Sequence, residues 1–416
     1  MATKKKRAKS KKTKKTNSKV TLLLMVVVIV LGGYFLYTGE DPLGLFTDIL
    51  TEAGESLPES ASLIEIEPTL TPAAVSVPVV EVASQGEWWE VYFADPINMT
   101  DPENYGGSIE EVIIKKIDAA QKSIHIASFE FNLTPVADAL IRAHERGVDV
   151  RWVTDDEHGT EADEEPGHGQ FEMLEDDGIE IKDDQRGALM HNKFWIFDRE
   201  IVWTGSTNIT ENGIFKQDNN VIVVHSPALA EIYEREFDEM WNGEFGPTST
   251  STVDEQSVIV SGTQLQVLFS SEDDVAEHIL PYLEAAQTSI RFLAFSFTHD
   301  AMGEAMRNRS DAGVDVMGVF EKTGSSTEYS ELGMMYCAGM AARRDENPSF
   351  LHHKVIVVDN RIVITGSLNF SDNANESNDE NVLIVDNAEI AKLYTQEFDR
   401  IWVLSSDPEA GKFECE

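Results

Sequence analysis

Hydrophobic and polar positions divide this chain into three regimes. Val20 to Tyr37, VTLLLMVVVIVLGGYFLY, is an eighteen-residue run without a charge. The stretch from 38 to 86 is rich in Pro, Glu, Ser and Thr, with alternating apolar residues only near its end. From about residue 87, short apolar runs alternate with amphipathic stretches. SIHIASFEF (123–131) predicts a buried strand, VADALIRAHERG (136–147) has apolar residues at helical spacing and ends on a glycine, and VDVRWVT (148–154) predicts a second strand. Strand-helix-strand units of this kind build a sheet covered by helices.

The pattern then recurs. Ile124 to Glu157 matches Ile290 to Thr323 at an offset of 166, and AAQKSI (119–124) matches AAQTSI (285–290). NVIVV (220–224) answers NVLIV (381–385), and AEIYEREFDEMW (230–241) answers AKLYTQEFDRIW (391–402), both at an offset of 161. The first copy therefore has five more residues between the matched blocks, expected in the acidic loop around Asp155 to Gly169. A period near 160 residues is far too long for a solenoid unit and reads as a duplicated domain. The halves are expected at 87–243 and 264–404, with a Gly, Pro, Ser and Thr-rich joint between them.

Charge sharpens this organisation. The formal net charge is -41, yet ten of the 33 Lys and Arg fall between Lys4 and Lys19 with no acid among them. From residue 20 onward, 33 less ten leaves 23 basic against 74 acidic residues, or -51. An acidic body repels phosphate backbones and disfavours broad nucleic-acid binding. As a helix, Val20 to Tyr37 reaches about 27 Å, close to the hydrocarbon thickness of a bilayer. A Lys-rich flank before it, and Glu40 and Asp41 after it, predict a cell-membrane protein with a cytoplasmic N-terminus and an extracytoplasmic body. No A-x-A-like site follows Leu36, which favours an uncleaved anchor over a signal peptide. The expected order is a basic tail (1–19), a transmembrane anchor (20–37) and a disordered linker (38–86) ahead of the folded body. Two cysteines, Cys337 and Cys415, are too few for a disulfide framework and leave the redox compartment open.

Candidate chemistry lies in LMHNKFWIFDREIVWTGSTN (189–208) and LHHKVIVVDNRIVITGSLN (351–369). In both, a His stands two before a Lys, an Asp follows the Lys by five, and Gly-Ser-x-Asn begins seven after the Asp. Strand alternation puts His191 and Lys193 on one face, and likewise His352 and Lys354, while His353 points the other way. Asp198 and Asp359 fall in hairpin turns, where an Asp side chain caps its own backbone, so both are expected to be structural. Gly205-Ser206 and Gly366-Ser367 turn the chain and present Ser and Asn side chains. Imidazole, ammonium, hydroxyl and carboxamide from each half suit attack on a phosphodiester. The carboxylate clusters of a two-metal site are absent from these stretches. One His-x-Lys alone would be an ordinary surface strand; two copies with matched spacings reverse that reading.

The doubled pattern H-x-K-x4-D-x6-G-S-x-N resembles the HKD signature of the phospholipase D superfamily over roughly residues 87 to 403, including its Asn-x-Glu-Asn element at Asn378 to Asn381. The resemblance implies an α/β fold of two mixed sheets flanked by helices, related by a pseudo-twofold, with the site between the halves. It implies a two-step reaction through a phosphohistidine, with water or an alcohol as acceptor and no metal or other cofactor. Carried over, His191 is the nucleophile and His352 the general acid. Lys193, Lys354, Asn208 and Asn369 hold the phosphate oxygens, Ser206 and Ser367 bind substrate as supporting donors, and Glu380 orients His191. One position departs: eleven after Asn369 is Glu380, but eleven after Asn208 is Asn219. His352 then faces an amide unless Asp218 moves in, which is expected to lower its pKa and make it a readier proton donor.

Cleavage or exchange of phospholipid headgroups at a membrane is the first functional reading, by a monomer that carries both motifs. A phosphodiesterase acting on DNA or RNA is the alternative, disfavoured by charge. A non-catalytic, membrane-tethered binding protein is a third, disfavoured because both His and both Lys are present. The run between His158 and His168 reads as a solvated loop before a cation site. Trp88, Trp89, Trp241 and Trp402 read as core or interface aromatics, with contact to lipid as the option for an exposed pair.

Overall fold

The computed structural model describes residues 83–409 and 411–415; the basic tail, the apolar run and nearly all of the linker lie outside them. Among the described residues no helix is long and apolar enough to cross a membrane.

The first half opens with β1 (Ala83–Gln85) and β2 (Trp89–Phe93). It continues through α1 (Ile109–Ala119), β3 (Ser123–Ser128), α2 (Thr134–Glu145), β4 (Asp149–Thr154), α3 (Gln170–Asp176) and β5 (Glu180–Asp183). The hairpin β6 (Lys193–Phe197) and β7 (Ile201–Gly205), α4 (Glu211–Phe215), β8 (Asn220–His225) and α5 (Pro227–Trp241) complete it. The second half repeats the series. It runs β9 (Ser257–Val260), β10 (Thr263–Ser270), α6 (Val275–Ala285), β11 (Ser289–Ala294), α7 (Asp300–Asp311), β12 (Asp315–Phe320), α8 (Glu331–Cys337) and β13 (Ala341–Arg344). It ends with β14 (Lys354–Val358), β15 (Ile362–Gly366), α9 (Asp372–Glu376), β16 (Glu380–Asp386) and α10 (Ala388–Leu404).

Two eight-stranded sheets result, ordered β1-β2-β8-β7-β6-β3-β4-β5 and β9-β10-β16-β15-β14-β11-β12-β13. Position by position these are the same topology. Both are mixed: β3-β4-β5 and β11-β12-β13 pair in parallel and the other neighbours antiparallel. Each half starts earlier than the repeat suggested, because a short edge strand folds back onto β2 and onto β10. The second of these turns uses Ser261 and Gly262, both at positive φ (48° and 84°), the geometry of a tight hairpin. The joint therefore shrinks to 243–256.

Helix α1 shows how sequence sets the layers. Ser108 caps it by accepting from the N–H groups of Glu110 and Glu111, and Ile109, Ile113 and Ile117 recur every four residues on its buried face. That face joins α2 and α3 over the outer side of the first sheet, and α6, α7 and α8 cover the second sheet in the same way. A third core, with Phe194 and Phe237 from one half and Val355 and Phe398 from the other, fills the space between the sheets around α5 and α10. Trp88 and Trp89 are buried in it, so they are core residues and no lipid contact. The extra length of the first half falls between β4 and α3, in residues 155–169 against 321–330 of the second half.

Asp198 and Asp359 act at longer range than a hairpin cap. Asp198 and Arg199, and Asp359 and Asn360, hold the positive φ of a two-residue turn. Their carboxylates reach across to the turn before the neighbouring strand: Asp198 accepts from the N–H groups of Gln121, Lys122 and Ser123, and Asp359 from those of Gln287, Thr288 and Ser289. The hairpin is thereby locked to β3 or β11. The two cysteines, 78 residues apart, form a disulfide that ties the C-terminal tail to α8.

Candidate active site

Both His-x-Lys stretches enter their sheets at the same end, where the halves meet. Just before β6, His191 N–H donates to Asp379 O of the other half at 2.9 Å; just before β14, His352 N–H donates to Asp218 O at 2.9 Å. The contacts are reciprocal, as in a twofold interface. Beneath them the halves are cross-linked again: Thr204 donates to Asn381 Oδ1 at 2.6 Å, and Asn220 Nδ2 donates to Thr365 Oγ1 at 2.9 Å. Gly205 and Gly366 precede the Ser of each motif because a Cβ there would stand 2.2 Å from Asn220 O or 2.1 Å from Asn381 O.

Each imidazole is oriented through Nδ1 by the opposite half. His191 Nδ1 lies 2.7 Å from Glu380 Oε2. His352 Nδ1 lies 2.9 Å from Asn219 Oδ1 and 3.1 Å from Ser206 O. Asn219 Nδ2 donates to Gly213 O at 2.8 Å, which fixes the amide with its oxygen toward His352. Both contacts of His352 are acceptors, so Nδ1 carries the proton and Nε2 is left for chemistry. Asp218 does not approach His352 through its side chain; Arg400 and Asn347 hold it at 2.6 and 2.7 Å.

The hydroxyls of Ser206 and Ser367, expected as supporting donors to substrate, are engaged within the protein. Ser206 donates to Asn219 Oδ1 at 2.8 Å and accepts from Asn220 N–H at 3.1 Å. Ser367 hydrogen-bonds Glu380 and accepts from Asn381 N–H at 3.0 Å. Each serine thus braces the residue that orients a histidine. Asn208 donates through Nδ2 to Glu130 at 2.8 Å, and the Oδ1 atoms of Asn208 and Asn369 are buried without a hydrogen-bond partner.

Lys193 and Lys354 are 1% exposed and donate back to the carbonyls of His191 and His352 at 2.9 and 2.8 Å. Phe129 and Phe295, at matching places after β3 and β11, carry these ammoniums over their faces and meet His191 and His352 edge-on. Both phenylalanines lie in the repeated strand segments, but there they read as ordinary core aromatics. Glu130 has Ser296 as its counterpart, so the repeat gave no signal for it.

Burial holds His191 well below the usual imidazole range, reinforced by the Lys193 and Lys354 ammoniums and by His158. Burial and the same two lysines do so for His352. The lowering expected for His352 is therefore shared, and the asymmetry lies in the partners. Burial pushes Lys193 down to about 8 and Glu380 up to about 7. Burial and Lys193 hold Lys354 well below its ordinary range. Two crowded ammoniums in a dry site favour an anion between them.

His158 packs tilted against Phe129, with ring centroids 4.8 Å apart, and is the third imidazole near His191. Asp155, Asp156 and Asp184 bring one oxygen each within 4.8 Å of one another, a spacing that could hold a cation. Two of them already hold backbone: Asp155 accepts from Met190 N–H and His158 N–H, and Asp184 from Asp156 N–H. Their evident work is to fix the loop leading into His191.

Comparison with known proteins follows this geometry. The family model described as cardiolipin synthase, PLD-like domain, matches residues 113–241 and 279–402. The human mitochondrial cardiolipin hydrolase is 35% identical over 130 residues, covering 31% of this chain and 52% of that protein. A phospholipase D of Rickettsia bellii is 28% identical over 137 residues, covering 33% of this chain and 68% of its own length. The first relatives are thus matched over only about half of their length. The crystal structure of phosphatidylserine synthase from Haemophilus influenzae superposes with a TM-score of 0.59 at 12% identity, over 76% of this chain and 86% of that one, a likeness of fold.

Proposed function

The chain belongs to the family of cardiolipin synthase, PLD-like domains, its two matched segments being the two halves of the fold, and on that premise we propose a phosphodiesterase of phospholipase D type that hydrolyses or transfers phospholipid headgroups. The observation that carries this reading is the pair of imidazoles, one from each half, with Nδ1 tied to Glu380 or Asn219, no protein partner on either Nε2 among the described residues, and two buried lysines beside them.

His191 Nε2 attacks phosphorus and forms a P–N bond. The P–O bond to the leaving alcohol breaks, and its oxygen takes a proton from His352 Nε2. Water or an alcohol then attacks phosphorus, gives its proton to His352, and the P–N bond breaks to restore His191. An unprotonated His191 suits the first step, and its depressed proton affinity supplies it at neutral pH. Lys193 and Lys354 offset the charge that grows on the phosphoryl oxygens, and the anionic substrate in turn favours the protonated form of His352.

The unequal partners support the unequal roles. A carboxylate at Asn219 would favour imidazolium and raise the pKa of His352. Asn219→Glu is expected to move the alkaline limb of the pH-rate profile upward and to reduce the maximal rate, because a weaker acid protonates the leaving group. An unchanged limb would separate His352 from that role.

The disulfide and the apolar run in the sequence support an extracytoplasmic place for the body. Cys337–Cys415 is at home in an oxidising compartment, which supports an extracytoplasmic body behind a single-pass anchor at residues 20–37. The decisive assay incubates the full chain in chelator with phosphatidylcholine, cardiolipin, single-stranded DNA and bis(p-nitrophenyl) phosphate. Lipid turnover that disappears in His191→Ala is expected. DNA cleavage without lipid turnover would overturn the lipid assignment, and no turnover of any diester would point to a binding protein.

A further inference from the structure

The duplication provides an internal control for every feature at the active-site end, and one feature fails to repeat. Phe93 pairs with Asn220 in the first sheet as Phe269 pairs with Asn381 in the second, so Pro96 and Ile97 correspond to Glu272 and Asp273. At the offset of 161, Pro348 and Phe350 correspond to Gly187 and Leu189. The first-half counterpart is acidic and covered by the chain itself. Gly246 N–H donates to Asp379 at 2.6 Å, Ser251 donates to Asp273 at 2.6 Å, and Arg186 lies over the Phe245 ring. On the second-half side no described segment takes that place. A pocket of about 160 Å³ stays open there, walled by Pro96, Ile97, Pro348, Ile401 and Leu404.

This pocket is built onto the catalytic machinery. Ala94 N–H donates to Asn219 O at 2.9 Å, two residues before Pro96. Asp345 accepts from Leu351 N–H at 2.9 Å, so the loop carrying Pro348 and Phe350 runs directly into His352. Phe350 meets Phe295 at 5.7 Å, and Phe295 meets His352 at 4.9 Å, an aromatic path from the pocket to the site. Ile97 is 57% and Phe350 38% exposed. Ile259, 76% exposed, lies on the edge strand β9.

We propose that this one-sided apolar rim, centred on Ile97, Pro348 and Phe350, meets the acyl region of a lipid bilayer and seats the apolar part of the substrate beside His352. The proposal rests on the phospholipase D-type reading and specifies which side of the cleft faces lipid. Charge selects the occupant. Among the described residues the cations at the rim are already engaged: Arg400, in the pocket lining, is closed off by Asp218 and Glu397, and Lys322 donates to Asn347 O at 2.6 Å, while Asp345 and Glu346 add negative charge to the lining. A net charge of -51 from residue 20 onward (33 less ten basic, 74 acidic) keeps nucleic acid away. Apolar contact with a bilayer needs no countercharge.

The test compares two substrates with the full chain: phosphatidylcholine in vesicles, and bis(p-nitrophenyl) phosphate, which has no acyl chain. Ile97→Ser with Leu404→Ser, at two apolar walls of the pocket that do not touch the catalytic residues, is expected to raise KM for the vesicle lipid by about tenfold or more, as loss of two buried apolar contacts implies. Its rate on the soluble diester should stay within about twofold of the parent chain. Ile259→Ser, at an exposed site on the edge strand β9, should move neither. If the parent turns over vesicle lipid and the double variant does so with the same KM, the rim is not a lipid contact. A parallel loss on both substrates would also overturn it, since that would make the rim structural. If the parent cleaves DNA and no lipid, the phospholipase reading itself falls and takes the rim with it.

Discussion

His191→Ala should abolish turnover of every phosphodiester, by about 10⁴-fold or more, and should leave no covalent intermediate, because on the proposed mechanism it removes the atom that bonds to phosphorus. His352→Ala should behave differently with different leaving groups. With an ordinary alcohol it should be as inactive, since nothing protonates the departing oxygen. With p-nitrophenolate, which leaves without a proton, the first step should survive and the second should fail for want of a base to deprotonate water. Labelled phosphate should then accumulate on the protein as an acid-labile, base-stable adduct at His191, detectable by alkaline quench and mass spectrometry. The contrast comes from the geometry: two imidazoles in similar burial, one held by a carboxylate from Glu380 and one by an amide from Asn219. An adduct on His352 in the His191→Ala variant would exchange the two roles. No adduct in either would exclude the covalent route.

Much of this was legible in sequence because the chain states it twice. Strand alternation put His191 with Lys193 and His352 with Lys354, and the offset of 161 paired Glu380 with Asn219 across the halves. A motif cannot reveal what a hydroxyl faces. Ser206 and Ser367 stand beside the site in sequence, but their hydrogen atoms are committed to Asn219 and Glu380. The edge strands β1 and β9 escaped notice because three or four residues at a sheet edge carry little periodicity. The disulfide closes over a separation of 78 residues, and two lone cysteines do not announce that distance. Where the copies diverge, the repeat falls silent: the rim at Ile97 has Asp273 as its counterpart, and Arg400 has Glu239.

That last divergence marks a buried ion network outside the chemistry. Arg400 is 8% exposed and holds two carboxylates, Asp218 Oδ1 at 2.6 Å and Glu397 at 2.6 and 2.8 Å, while Glu397 also meets His353 Nε2 at 3.1 Å. Arg400→Met keeps the apolar stem and leaves both carboxylates buried without a cation. The expected loss is about 3–5 kcal/mol, a large part of the roughly 5–15 kcal/mol that a fold of this kind has in reserve. The pH dependence fixes the mechanism. Burial raises the pKa of Glu397, but Arg400 and His353 outweigh it and hold the group below the usual carboxylate range. In the parent chain that stabilisation is present above the unfolded-state pKa of Glu397 and is lost as pH falls through its lower folded value. Without Arg400 the burial cost is opposed only by the His353 contact, so the folded pKa is expected to rise above the unfolded one and the penalty to fade on acidification. Urea midpoints should therefore differ widely at pH 7 and converge toward about pH 4, below which an ordinary glutamate is mostly protonated. Glu397→Gln in the Arg400→Met background should recover part of the loss. A deficit that stays constant with pH would assign it to packing. The same variant should also slow turnover, because Asp218 O holds the backbone of His352 at 2.9 Å and loses its anchor when Arg400 goes.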